Sequence, residues 1–172
     1  MTPIFESKIA GTVTTGVTAK QGVKRMVEMV GYMVTWTTYG SWLQGDRRGF
    51  VKKGEIMAGN KKIEKANQKS QKSMKIKLNS EQRAIVRQAI INEAKRIGHK
   101  IEALSVSTYH VHLVARPFKE SIELIVSRYK NISMFALGKQ VNNGRIWTRS
   151  FDKRFCFDED SLNQRIEYVN KH

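Results

Sequence analysis

Cysteine is nearly absent from this chain. Cys156 is the single one in 172 residues, so no disulfide can form within the chain and no cysteine cluster offers a zinc site. A reducing compartment fits that usage. Long apolar runs are also missing, and no stretch approaches the length that crosses a bilayer as a helix. The first residues carry Glu6 and Lys8 and then a Thr/Gly-rich stretch, which is not the apolar core of a signal peptide. The expectation is a cytoplasmic, nucleoid-associated protein. Acid is the third scarcity. Fifteen Asp and Glu face 31 Lys and Arg, a formal net charge of +16. Half of that excess sits between Gln44 and Asn79, where eleven basic residues outnumber three acids.

A clustered basic excess is the footprint of a polyanion partner, usually nucleic acid. A membrane-surface protein would need an amphipathic helix with a strong apolar face. The basic stretch has only scattered apolar residues, so no membrane partner is expected.

What the chain does possess is Tyr109-His110-Val111-His112-Leu113-Val114-Ala115. On a strand, alternate side chains share a face. His110 and His112 therefore face one way, and Tyr109, Val111 and Leu113 the other. Two imidazoles at this spacing can grip one metal ion such as Mn, Zn, Fe or Ni. The alternative is two ordinary polar residues on a solvent face.

Around this strand the pattern predicts an order of elements. Residues 1–30 read as an N-terminal extension, with a short helix at 21–30. Residues 32–39 favour a strand, being aromatic and β-branched. The basic insertion at 44–79 reads as a long loop. Asn79 or Ser80 can cap a helix with Ala84, Ile85, Ala89, Ile90, Ala94 and Ile97 on its apolar side, stopped by Gly98. Strands follow at 101–107 and 109–115, and Pro117 ends the second. Ser121 can cap a helix with Ile122, Ile125, Val126, Tyr129, Ile132, Phe135 and Ala136 inward. Asn143-Gly144 signals a turn. Extended segments are expected at 146–151 and 154–157, then a last helix capped by Asp160 or Ser161. The β-α-β-β-α-β order implies an α+β, ferredoxin-like (RRM-like) antiparallel sheet with helices packed on one face. The histidines then point to the open face or toward a helix laid across it. Residues 31–172 are expected to form a single domain.

The last helix carries Tyr168 and His172, four residues apart and so on one side. A tyrosine hydroxyl, with a pKa of about 10, is a weak nucleophile at neutral pH. It becomes useful for phosphoryl transfer when a metal polarises the phosphate. A metal held by His110 and His112, completed by His172, beside Tyr168, would have that chemistry. The alternatives are a half-buried helix residue for Tyr168 and a frayed terminal one for His172. Tyr129, among Ile125, Val126 and Ile132, reads as core.

Three segments in order carry a resemblance. Thr35-Trp36-Thr37-Thr38-Tyr39-Gly40-Ser41-Trp42-Leu43-Gln44-Gly45-Asp46 resembles the first strand and loop of single-tyrosine HUH transposases, closest to the REP-associated tyrosine transposases and their insertion-sequence relatives. His110-Val111-His112-Leu113-Val114 resembles their HUH motif. The Trp147 segment and Arg165-Ile166-Glu167-Tyr168-Val169-Asn170-Lys171-His172 resemble their C-terminal part. The resemblance implies the HUH endonuclease fold over residues 31–172. It implies His110, His112 and His172 as ligands of Mg²⁺ or Mn²⁺, and Tyr168 as nucleophile. The implied activity nicks and rejoins single-stranded DNA at hairpin or palindromic sites through a 5′-phosphotyrosine. The enzyme would be a monomer or a homodimer with shared sites. Where many relatives carry Asn before the first histidine, this chain has Tyr109.

A non-catalytic binder of single-stranded or hairpin nucleic acid on the same fold is the competing reading. For either, Trp36, Tyr39 and Trp42 are candidates to stack bases, and Arg47, Arg48, Lys52, Lys53, Lys61, Lys62 and Lys65 to contact phosphates.

Overall fold

The computed structural model describes residues 28–41, 45–47, 49–52, 55–70, 75–141 and 145–172. Most of the expected extension, with all but the end of the helix expected at 21–30, lies outside them, as does the Asn143-Gly144 turn. In chain order the elements are β1 (Gly31–Thr37), β2 (Phe50–Lys52), β3 (Glu55–Met57), α1 (Lys61–Lys69), α2 (Ser80–Ile97), β4 (Ile101–Val106), β5 (His110–Ala115), α3 (Ile122–Leu137), a short 3₁₀ turn (Gly138–Gln140), β6 (Asp152–Cys156) and α4 (Glu159–Asn170). Among the described residues no helix is long and apolar enough to cross a membrane.

The main sheet runs β4-β5-β1-β6, and every neighbouring pair is antiparallel. With α2 and α3 as the connecting helices, this is the expected α+β, β-α-β-β-α-β arrangement. Alternation along β1 and β5 sorts the side chains. Tyr32, Val34 and Trp36 join Val111, Leu113 and Ala115 on one face. There they pack with Val86, Ile90 and Ala94 of α2 and with Ile125, Val126, Tyr129 and Leu137 of α3. Each large side chain removed from water here contributes roughly 1.5–3 kcal/mol. Met33, Ala103, Val114 and Cys156 form a second, smaller cluster beneath Leu162 and Val169 of α4. The helices are therefore not all on one face: α2 and α3 cover one, and α4 lies on the other.

Helix ends follow the sequence closely. Asn79 caps α2 in a reciprocal box with Gln82, and Gly98 stops it at φ 75°, a left-handed conformation that glycine adopts without a Cβ penalty. Ser121 caps α3. The last helix begins earlier than expected, because the Asp158 carboxylate accepts from the Ser161 amide and Asp160 falls in the first turn.

Three expectations on side chains and loops are corrected. Val86 rather than Ala84 is buried on α2. On α3, Phe135 is 83% exposed and Ala136 also faces solvent. Ser133 turns inward instead, since its hydroxyl donates to the Tyr129 carbonyl and accepts from the Trp147 indole. The basic insertion is not one long loop, since it holds the β2–β3 hairpin and α1.

A polar network is embedded in the larger core. His99 is buried between Tyr32 and Tyr129, with Nε2 3.0 Å from one hydroxyl and Nδ1 2.6 Å from the other. Both phenols are pushed up by burial, Tyr32 to about 12. Burial holds His99 below the usual histidine range. A neutral imidazole offers one donor and one acceptor, and two hydroxyls satisfy both.

Tyr129→Phe strands one nitrogen of His99 and should cost about 1–3 kcal/mol, read as a lower urea midpoint with unchanged slope. The unfolded chain protonates its histidines near 6.5, while folded His99 resists. The unfolded state then binds more protons, so stability should rise with pH between the lowered folded value and about 6.5, with no further gain from this group above that. A metal-free protein more stable at pH 5 than at pH 7 would contradict this.

Candidate metal and nucleophile site

The second face of the sheet carries the histidines. In the β1–β5 register, Thr37 stands opposite His110 and Thr35 opposite His112. The two imidazole centroids are 4.5 Å apart. From the other side, α4 is seated by Leu162 and Val169 and tethered at its start by Arg116. That guanidinium grips both oxygens of Glu159, at 2.5 and 2.9 Å, and Glu102 at 2.7 Å. Gly31 allows the close approach, because a Cβ there would fall 2.6 Å from a Leu162 methyl.

So placed, α4 delivers Tyr168 and His172 to the histidine pair. The His172 ring lies 6.1 Å from His110 and 5.2 Å from His112. The Tyr168 ring lies 5.6 Å from His112 and 4.6 Å from His172. Its hydroxyl is 3.5 Å from Nε2 of His172. One ring nitrogen from each of His110, His112 and His172 falls within 4.8 Å of the others. The cluster grades outward, from buried His112 through half-buried His110 to exposed His172, with Tyr168 46% exposed. Solvent can therefore reach the tyrosine.

His112 is pushed down to about 4, first by burial and then by the charges of His110 and His172. At neutral pH it is an uncharged imidazole, the form that ligates metals. Its Nδ1 lies 2.7 Å from the Thr35 hydroxyl. Three imidazole nitrogen donors with an exposed flank fit a borderline metal such as Mn²⁺ or Zn²⁺. They suit Mg²⁺ less, which prefers oxygen ligands.

The other candidate residues divide. Tyr129 is fully buried at His99, far from solvent. Tyr109 is half-buried, with the Lys75 ammonium 4.1 Å from its ring centroid. Trp36 cannot stack a base: it shares a face with Tyr32 and Val34, is 1% exposed, and meets Trp147 edge to face. Tyr39 is half-buried against the same core, with Arg145 over its ring. Trp42, Arg48 and Lys53 lie outside the described residues, as does the side chain of Lys52. Arg47, Lys61, Lys62 and Lys65 are exposed. They sit on an ordered support. Asn60 caps α1, and Gly45, at φ 95°, lies so close to that helix that a Cβ would overlap the Glu64 amide nitrogen. Thr35, which touches His112, is not among the candidates that the sequence offers. Alternation assigns it a face, but only strand register reveals its partner 77 residues away.

No family model matches this chain, and no curated protein does. Among solved structures, a REP-associated tyrosine transposase bound to a REP hairpin is similar at 14% identity and a TM-score of 0.51. The match covers 81% of this chain and 64% of that one, so this chain spans less than two thirds of that protein's length. A crystal structure described as a "putative transposase" from Deinococcus radiodurans R1 aligns at 17% identity and a TM-score of 0.44, covering 86% of this chain and 94% of that one. The first match shows a shared fold with a tyrosine transposase, the fold class that the histidine-pair resemblance implied.

Removing a nitrogen donor should weaken Mn²⁺ binding by more than about tenfold, or 1.4 kcal/mol. His172→Ala is the cleanest variant, because the exposed side chain can go without altering the melting temperature. Titration calorimetry on the metal-free protein measures both variant and wild type. Equal affinities would remove His172 from the ligand set.

Proposed function

We propose that this chain is a metal-dependent tyrosine transposase that nicks and rejoins single-stranded DNA at hairpin or palindromic sites. One observation carries the reading: an exposed tyrosine hydroxyl stands beside a cluster of three imidazoles whose ligating nitrogens converge. In this reading Tyr168 is the nucleophile, and His110, His112 and His172 hold Mg²⁺ or Mn²⁺, with Mn²⁺ the better match to nitrogen donors. The bound ion would polarise the scissile phosphate and neutralise charge that develops on it.

The remaining chemistry belongs to the chain. The Tyr168 oxygen attacks phosphorus as its proton leaves to water, which reaches this exposed side chain. His172, 3.5 Å away, keeps that hydroxyl at the edge of the cluster. A tyrosine-phosphorus bond forms and the bond to the 3′-oxygen breaks. The products are a 5′-phosphotyrosine and, once that oxygen is protonated, a free 3′-hydroxyl. One ester is exchanged for another, so the reverse attack rejoins the strand without ATP. The Tyr168 ring and hydroxyl lie beside histidines of the same chain, which supports action in cis. The basic supports around Arg47, Lys61, Lys62 and Lys65 would follow the DNA backbone. Such a protein would work on DNA in the cytoplasm.

Tyr168→Phe should abolish cleavage and keep DNA binding, since the ring stays and only the hydroxyl goes. Mass spectrometry of a trapped DNA–peptide adduct checks the residue: an adduct elsewhere refutes Tyr168. Tight hairpin binding by wild type with no adduct in Mn²⁺ would instead identify a non-catalytic binder.

Replacing Lys61, Lys62 and Lys65 together with Gln should weaken DNA binding across sequences. The salt dependence should flatten by roughly 0.7 in log–log slope for each phosphate no longer neutralised. An unchanged slope would mean that α1 is only a solvated helix.

A further inference from the structure

We infer that Thr35 is the residue that orients His112 for metal binding, acting through the imidazole and not on the metal itself. The inference rests on the metal reading of the histidine cluster. It starts from a property of the ring. An imidazole that ligates through one nitrogen carries its proton on the other, and that N–H must find an acceptor when it is buried.

His112 is the most buried member of the cluster, at 7% exposure, so solvent cannot serve that N–H freely. Thr35 can. It stands directly opposite His112 in the β1–β5 register, and its Oγ1 is 2.7 Å from Nδ1. Flipping the ring would put a carbon against that hydroxyl and break the bond. The hydrogen bond therefore holds the ring with Nδ1 toward β1 and leaves Nε2 for the cluster of His110 and His172. With a cation bound at Nε2, the remaining proton sits on Nδ1 and donates to Thr35 Oγ1.

The support for Thr35 is itself rigid. Its β-branched side chain has few rotamers. Its backbone belongs to a central strand, paired on one side with His112 and on the other with Asp152. Its position on the second face keeps it out of the main core, where Val34 and Trp36 on either side of it are buried. A hydroxyl there serves no apolar packing, and the imidazole engages it. The deepest ligand of the cluster thus has a fixed outer partner.

The test compares wild type, Thr35→Val and Thr35→Ser in the full chain without DNA. Titration calorimetry with Mn²⁺ reads affinity. Long-range proton–nitrogen NMR with Zn²⁺ reads which nitrogen of His112 is protonated. Val keeps the shape and the strand preference but removes the hydroxyl, and should lower affinity by about 10–100-fold. Ser restores an oxygen and should recover most of the loss. In wild type with Zn²⁺, Nδ1 of His112 should carry the proton. Circular dichroism and melting confirm that each variant is folded. Wild-type affinity in a folded Thr35→Val protein, no recovery with Ser, or a metal-bound Nδ1 would each overturn the role of Thr35. A wild-type chain that binds neither Mn²⁺ nor Zn²⁺ would overturn the metal reading itself, and this inference with it.

Discussion

The antiparallel pairing of β1 with β5 is the constraint on which both halves of the molecule depend. Its register sets Trp36 beside Val111 and Thr35 beside His112. Because side chains alternate, one register fills the core and builds the site at the same time. A slip by one residue would turn Tyr32, Val34 and Trp36 outward and send the histidines into the apolar core. The apolar half of the pair therefore protects the polar half: the free energy of burying the aromatic face makes the histidine register the only low-energy one. Antiparallel neighbours on both sides of β1 leave that strand no freedom to shift.

The second dependence is on α4. The sheet alone presents a pair of imidazoles, and a third donor and a hydroxyl arrive only when the helix docks. It docks with Leu162 and Val169 as the buried anchors. The Arg116 fork to Glu159 and Glu102 adds direction at the helix start. The exposed end carries Tyr168 and His172. Val169, between them in the chain, is buried against the sheet, so both ends of the helix are held.

Two buried histidines differ in what their hydrogen-bond partners leave free. His99 and His112 are both buried and both held below the usual histidine range. His99 has hydroxyls on both nitrogens and nothing left to offer a ligand. His112 has one nitrogen bonded to Thr35, and its ring stands among the imidazoles of His110 and His172. Desolvation alone does not mark a site; the difference is whether the lone pair has somewhere else to go.

Much of this was legible in the linear chain. Alternation put His110 and His112 on one face, helical spacing put Tyr168 and His172 together on another, and cap residues such as Asn79, Gly98 and Ser121 bounded their helices. These are short-range properties, decided by backbone geometry within a few residues. Charge composition carries the expectation of a polyanion partner without reference to any fold. Distance and packing belonged to the tertiary structure. Trp36 read as a base-stacking surface because an aromatic looks alike inside and outside; only its register with Val111 buried it. Phe135 read as core because its spacing was right, yet Ser133 took the inward place through hydrogen bonds to Tyr129 and Trp147. That α4 crosses the histidine face, and that Thr35 meets His112 from 77 residues away, follow from strand register and helix docking. Those are set by the summed burial of the whole core, a quantity no local segment contains.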